Sequence, residues 1–211
     1  MNPTPASGLL HNDKRIFQSN SKMFAETIDN EDILKLPKIS FQGEIIVVHN
    51  EKQLKESFPL LQKSSVIGFD TETKPSFRKG LSNGVALLQL SSADVALIIR
   101  LKTTGVPGVL KRFFEDEKVI KVGAAIRDDI RSILKIKRFN PKGFIDLQHL
   151  AKEMGIESQS VRKLAAIVLN SRVSKNQQLS NWEADRLSDA QLVYAATDAW
   201  VCREIYLKLI E

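Results

Sequence analysis

Apolar residues change their spacing at Gly123, and that change limits what the chain can become. Before it they come in short continuous runs: Ile45-Ile46-Val47-Val48, Val66-Ile67-Gly68-Phe69, 85–90, 95–99 and Val119-Ile120-Lys121-Val122. Such runs read as buried strands. Ser91-Ser92-Ala93-Asp94 suits a hairpin between the third and fourth runs. Helical spacing interrupts the strands at 51–61 and 109–114. After Gly123 it dominates, with helices expected over 126–134, 147–153, 161–169 and 189–209. Strands first and helices afterwards predict a three-layer α/β domain with a mixed central sheet over 41–211.

Residues 1–40 read as an N-terminal extension. The first twenty carry Pro3, Pro5, Ser7, Gly8 and Asn12 without periodicity and are expected to be disordered. A short helix is expected after Asp29, stopping before Pro37. No apolar run approaches the roughly 18 residues of a membrane span, and the N-terminus lacks the layout of a secretory signal. The lone Cys202 excludes an internal disulfide and fits a reducing, cytoplasmic setting. Lys plus Arg number 31 against 25 Asp plus Glu, with a sequence pI near 9.4. That balance favours a polyanionic partner such as nucleic acid.

Three acidic clusters punctuate this frame. Asp70 and Glu72 in Phe69-Asp70-Thr71-Glu72-Thr73 follow a buried run at i and i+2, so both project from one face of a strand. Two anions held side by side resist ionisation unless a cation lies between them. A divalent metal answers that need; a strand end with two solvated acids is the plainer alternative. In Tyr194-Ala195-Ala196-Thr197-Asp198, Tyr194 and Asp198 stand one turn apart on the last helix. Its start carries a capping-box pattern, Ser188 with Gln191, and a hydrophobic-staple pair, Leu187 with Leu192. In Arg127-Asp128-Asp129, the buried face set by Ile126, Ile130 and Ile133 puts Asp128 toward solvent and Asp129 at the border of a cleft. Asp129 is therefore the candidate, and Asp146 reads as a helix N-cap. His11, His49 and His149 are scattered and form no metal cluster with Cys202.

The order FDTET, KVGAAIRDD, YAATD, together with VALLQLS, FIDLQHLA and LSNWEADRLSDAQLVYAATDAW, resembles the DEDD superfamily of 3′–5′ exonucleases in its tyrosine-bearing branch. Within it the chain is similar to the exonuclease domain of the Werner syndrome protein and to the nuclease domain of ribonuclease D. The resemblance implies a ribonuclease H-like fold. It implies that Asp70, Glu72 and Asp198 bind one divalent metal, that Asp70 bridges to a second, and that Asp129 holds the second through water. Tyr194 would orient the attacking water. The all-oxygen donor set favours two Mg²⁺ or Mn²⁺ ions. The implied partner is nucleic acid with single-stranded or recessed 3′ ends, DNA ahead of RNA, with neither a membrane nor an obligate protein partner. The alternatives are a ribonuclease D-like exoribonuclease and a catalytically silent nucleic-acid-binding module. Thr71 and Leu87 resemble positions lining the terminal-nucleotide pocket. Lys74, Arg78 and Lys79 suit either phosphates or a solvated loop, and Trp182 suits base stacking or, more simply, loop packing.

Overall fold

The computed structural model describes residues 24–76 and 83–211. Its strands are β1 (Glu44–Val48), β2 (Val66–Thr73), β3 (Val85–Ser91), β4 (Val95–Arg100), β5 (Ile120–Gly123) and β6 (Phe144–Asp146). They form one mixed sheet in the order β1-β4-β3-β2-β5-β6. The β1–β4, β2–β5 and β5–β6 pairs are parallel, while β2–β3 and β3–β4 are antiparallel. The helices are α1 (Asn30–Lys35), α2 (Glu51–Ser57), α3 (Leu101–Thr104), α4 (Gly108–Glu115), α5 (Ile126–Ile136), α6 (Leu147–Glu153), α7 (Val161–Leu169) and α8 (Asp189–Ile210).

Alternation along β2 and β3 sorts their side chains between two cores. Phe69, Leu88 and Leu90 face Leu54 of α2, Leu110 and Phe114 of α4, and Ile126 and Ile133 of α5. Leu87 and Ile98 on the other face meet Ala195 and Ala196 of α8. Farther along, α8 packs Val201 and Ile205 against Val122 of the sheet and Leu164 and Val168 of α7. The three-layer α/β expectation holds. Covered on two sides, α8 is apolar around most of its circumference, as a helix inside a layered core must be.

Several details differ from the sequence reading. Pairing with β3 carries β2 through Thr73, with Asp70 opposite Gln89 and Glu72 opposite Leu87, so the two acids lie inside the strand. The helix expected over 51–61 ends as α at Ser57 and becomes a single 3₁₀ turn, Phe58–Leu60. Pro59 lacks the N–H that an α-helical bond there would use. The three-residue β6 and the one-turn α3 are too short to show a period.

Of the extension, residues 1–23 lie outside the described residues. Residues 24–40 run against the α7–α8 side. Ile33 is fully buried, the Ile39 N–H donates to the Arg172 carbonyl at 2.9 Å, and the Arg172 N–H donates to the Pro37 carbonyl at 2.9 Å. Immediately after, the Phe41 N–H donates to Thr197 Oγ1 at 3.0 Å, next to Asp198.

Close approach of α8 to β2 is the contact on which the layers register. A Cβ on Gly68 would overlap the Ala199 carbonyl, and no rotamer change moves a backbone carbonyl. Gly68→Ala is therefore expected to cost about 3 kcal/mol or more, read as a lower urea midpoint. An unchanged midpoint would contradict the backbone-to-backbone contact.

Candidate active site

The sheet delivers two acids to one place and the last helix delivers the third. Asp70 and Glu72 share the face of β2 that α8 covers, and Asp198 comes down on them one residue before the Gly68 contact at Ala199. One carboxylate oxygen from each of Asp70, Glu72 and Asp198 lies within 4.8 Å of the others. Tyr194, one turn before Asp198, sets its hydroxyl beside the Asp198 carboxylate, near enough for each to shift the other's proton affinity. The capping box anticipated at Ser188 and Gln191 is formed in both directions and fixes where α8 begins.

Asp129 approaches from the other layer. β5 stops at Gly123 while β2 continues, and the chain turns there through Ala125, whose φ is 56°. Asp146 braces this turn. Its Oδ1 accepts from the Ala125 N–H at 3.1 Å and from the Gln148 N–H at 3.0 Å, so it caps α6, as anticipated, and also steadies the entry to α5. Asp129 then meets Thr71, whose hydroxyl donates to its Oδ1 at 2.5 Å. It stands beside the three-carboxylate group rather than within it.

Crowding and burial hold protons on these acids. Burial, then Asp198, Glu72 and Asp129, push Asp70 well above the carboxylate range. Glu72 rises to about 8, through burial and then Asp198 and Asp129. Burial lifts Asp198 to about 7 against the lowering effect of the Tyr194 hydrogen bond. Asp129 is raised by burial, opposed by the Thr71 bond. Tyr194 is pushed above its ordinary value by burial and then by Asp198 and Glu72, which keeps its hydroxyl protonated. Removing one proton from each carboxyl and placing a cation among them relieves the same repulsion. A cation about 2.1 Å from each oxygen spans such a donor set with little movement, and the all-oxygen chemistry fits Mg²⁺ or Mn²⁺.

The remaining sequence candidates divide. Leu87 and Trp182 are fully buried. Trp182 stacks obliquely on Tyr194, ring centroids 5.9 Å apart, and so packs behind the tyrosine. Lys74 is partly exposed, 3.8 Å from Glu183. Arg78 and Lys79 lie outside the described residues. Two basic side chains that the sequence reading passed over, Arg162 and Lys175, line a cavity of about 210 Å³ together with Asp70, Tyr194 and Asp198. Their positive charge was the only signal, and nothing local tied it to the acids.

No helix among the described residues is long and apolar enough to cross a membrane. Residues 45–211 match the family model described as 3′–5′ exonuclease. Exonuclease 3′–5′ domain-containing protein 2 of Drosophila melanogaster is 36% identical over 152 residues, covering 70% of this chain and 26% of that protein. The bifunctional 3′–5′ exonuclease/ATP-dependent helicase WRN of Mus musculus is 30% identical over 184 residues, covering 82% of this chain and 13% of that protein. The chain thus spans about a quarter of the first relative and about an eighth of the second. In fold it is similar to the crystal structure of the Aedes aegypti Nibbler EXO domain, with a TM-score of 0.70 and 24% identity over 88% of this chain and 91% of that one. That likeness is to the ribonuclease H-like architecture expected from the sequence. The chain belongs to the 3′–5′ exonuclease family.

Proposed function

We propose that this chain is a metal-dependent 3′–5′ exonuclease that releases nucleoside monophosphates from nucleic-acid 3′ ends, DNA ahead of RNA. The observation that carries the reading is the convergence of Asp70, Glu72 and Asp198 within 4.8 Å, with Tyr194 one turn from Asp198 on the same helix. The similarity to an exonuclease joined to a helicase favours DNA over RNA. The single buried Cys202 suits a reducing compartment such as the cytoplasm.

Asp70, Glu72 and Asp198 would hold one divalent cation, and Asp70 with Asp129 the second. When bound, two such ions supply an activated water and charge stabilisation at the departing 3′-oxygen. The protein's own part is positional. Tyr194 stays protonated, so it is a poor base at neutral pH; its hydroxyl donates to Asp198 and its oxygen accepts from the attacking water, which aims that water at phosphorus. Trp182 behind it limits movement of the ring. Thr71 fixes the carboxylate of Asp129. Arg162, Lys175 and Lys74 supply positive charge for substrate phosphates at the rim.

Digestion of 5′-labelled single-stranded and recessed-end DNA and RNA with Mg²⁺, Mn²⁺ or EDTA tests the reading. A metal-dependent ladder shortening from the 3′ end is expected, absent for Asp70→Ala and Asp198→Asn, both still folded. A ladder from either variant at the parent rate would sink the assignment, and binding without any ladder would point to a silent module. Tyr194→Phe is expected to slow turnover by about 100-fold, on the scale of losing a group that orients a reactant, with Mn²⁺ affinity unchanged. Equal rates would remove Tyr194 from the mechanism.

The raised carboxyls also set a pH dependence. Glu72 and Asp198 bind protons more tightly in the folded chain, at about 8 and about 7, than at their ordinary values of 4.5 and 3.8. The folded state therefore gains from protonation below those ordinary values and loses that gain as pH rises through 7 to 8. The metal-free melting midpoint is expected to fall between pH 5 and 8, less steeply in Asp198→Asn, and saturating Mn²⁺ to restore more at pH 8 than at pH 5. A flat profile would contradict the crowding.

A further inference from the structure

Gln89 sits mid-strand in β3, fully buried, and neither its Oε1 nor its Nε2 has a hydrogen-bond partner among the described residues. Buried amides without partners are uncommon, because water would have satisfied both ends. Leucine or methionine would fill the same space without that cost, and leucines surround the position at Leu87, Leu88 and Leu90.

Its neighbourhood indicates what the amide serves. Gln89 is directly opposite Asp70 in the antiparallel β2–β3 ladder. Side chains of such a pair leave the same face with Cβ atoms roughly 5 Å apart. On its other side it faces Ile98 of β4. Leu87, two residues earlier on the same face, packs with Ile98 and with Ala195 and Ala196 of α8. Ser91, two residues later, already donates its hydroxyl to the Ser92 carbonyl. Of the site's acids, Asp70 is the one paired directly opposite Gln89, and it is the carboxylate shared by both halves of the proposed metal site.

We propose that Gln89 is a positioning residue for Asp70: its side-chain N–H donates to the Asp70 carboxylate when that carboxylate turns to hold a divalent cation, and so fixes its orientation. The inference rests on the metal-dependent reading above. It gives the buried amide a partner that the described residues do not otherwise supply. Partners of this kind behind a ligating carboxylate typically govern metal affinity by 10- to 100-fold.

The test compares the parent with Gln89→Met, which keeps the length and removes both polar atoms. Calorimetric titration with Mn²⁺ alone and the metal-free melting midpoint are read together. Gln89→Met is expected to raise the metal-free midpoint by about 2–4 °C and to weaken Mn²⁺ binding about tenfold or more. Turnover at saturating Mn²⁺ is expected to approach the parent's, with the half-saturating Mn²⁺ concentration shifted upward. Gln89→Asn, which keeps the amide on a shorter arm, is expected to fall between the two in affinity. Unchanged Mn²⁺ affinity in Gln89→Met, beside a parent that binds, would overturn the role of Gln89 alone. A lowered metal-free midpoint with unchanged affinity would mark the amide as a fold-holding group and overturn it as well. Failure of the parent itself to bind Mn²⁺ would overturn the metal reading and this inference with it.

Discussion

The meeting of Asp198 with Asp70 and Glu72 depends on one backbone contact, the Ala199 carbonyl of α8 resting on Gly68 of β2. A side chain at Gly68 would lift the helix from the strand and carry Asp198 away from Asp70 and Glu72. The small residues Ala195, Ala196 and Ala199 on α8 serve the same approach, all fully buried. The capping box at Ser188 fixes the axial register of the helix, and Thr197, accepting from the Phe41 N–H, ties it to the segment that enters the sheet. Packing thus places the carboxylates, and the carboxylates contribute no favourable term to that packing.

Their electrostatics point the other way. Asp70, Glu72, Asp129 and Asp198 are held in a partly dehydrated cleft where Asp198, Glu72 and Asp129 raise the proton affinity of Asp70, and Asp198 and Asp129 that of Glu72. A fold that concentrates like charge against a close-packed sheet has accepted a local penalty, and such penalties are characteristic of sites built for a ligand. Divalent cations with oxygen preference reverse the sign of that term. The same logic accounts for the unpartnered amide of Gln89, which is a cost in the metal-free chain and a hydrogen-bond donor beside Asp70 in the loaded one.

Much of this was readable from residue order, and the reasons for success and failure are physical. Period-2 geometry puts Asp70 and Glu72 on one face wherever the strand ends, so their pairing survived even though β2 extends farther than its apolar run. The i, i+4 relation of Tyr194 and Asp198 is equally local, as are the cap at Asp146 and the box at Ser188. What sequence could not supply was separation across layers. Thr71 meets Asp129 from 58 positions away, and Arg162 and Lys175 reach the cleft only because α7 packs beside α8. The brace that Asp146 gives Ala125 depends on β6, whose three residues are too few to show a period. Trp182 and Leu87 illustrate the converse: their types suit substrate contact, yet both are enclosed, and Trp182 packs against the ring of Tyr194.

Proton release on metal binding tests the central claim most directly. Mn²⁺ is titrated into the metal-free chain by calorimetry at pH 6.5 in buffers of different ionisation enthalpy. Because Glu72 and Asp198 hold their protons up to about 8 and about 7, and burial and its acidic neighbours raise Asp70 well above the carboxylate range, binding is expected to release one proton or more per chain, and Asp198→Asn to release fewer. Tight binding with no release of protons would mean that the acids are already ionised and separated, and would contradict a site held together against its own charge.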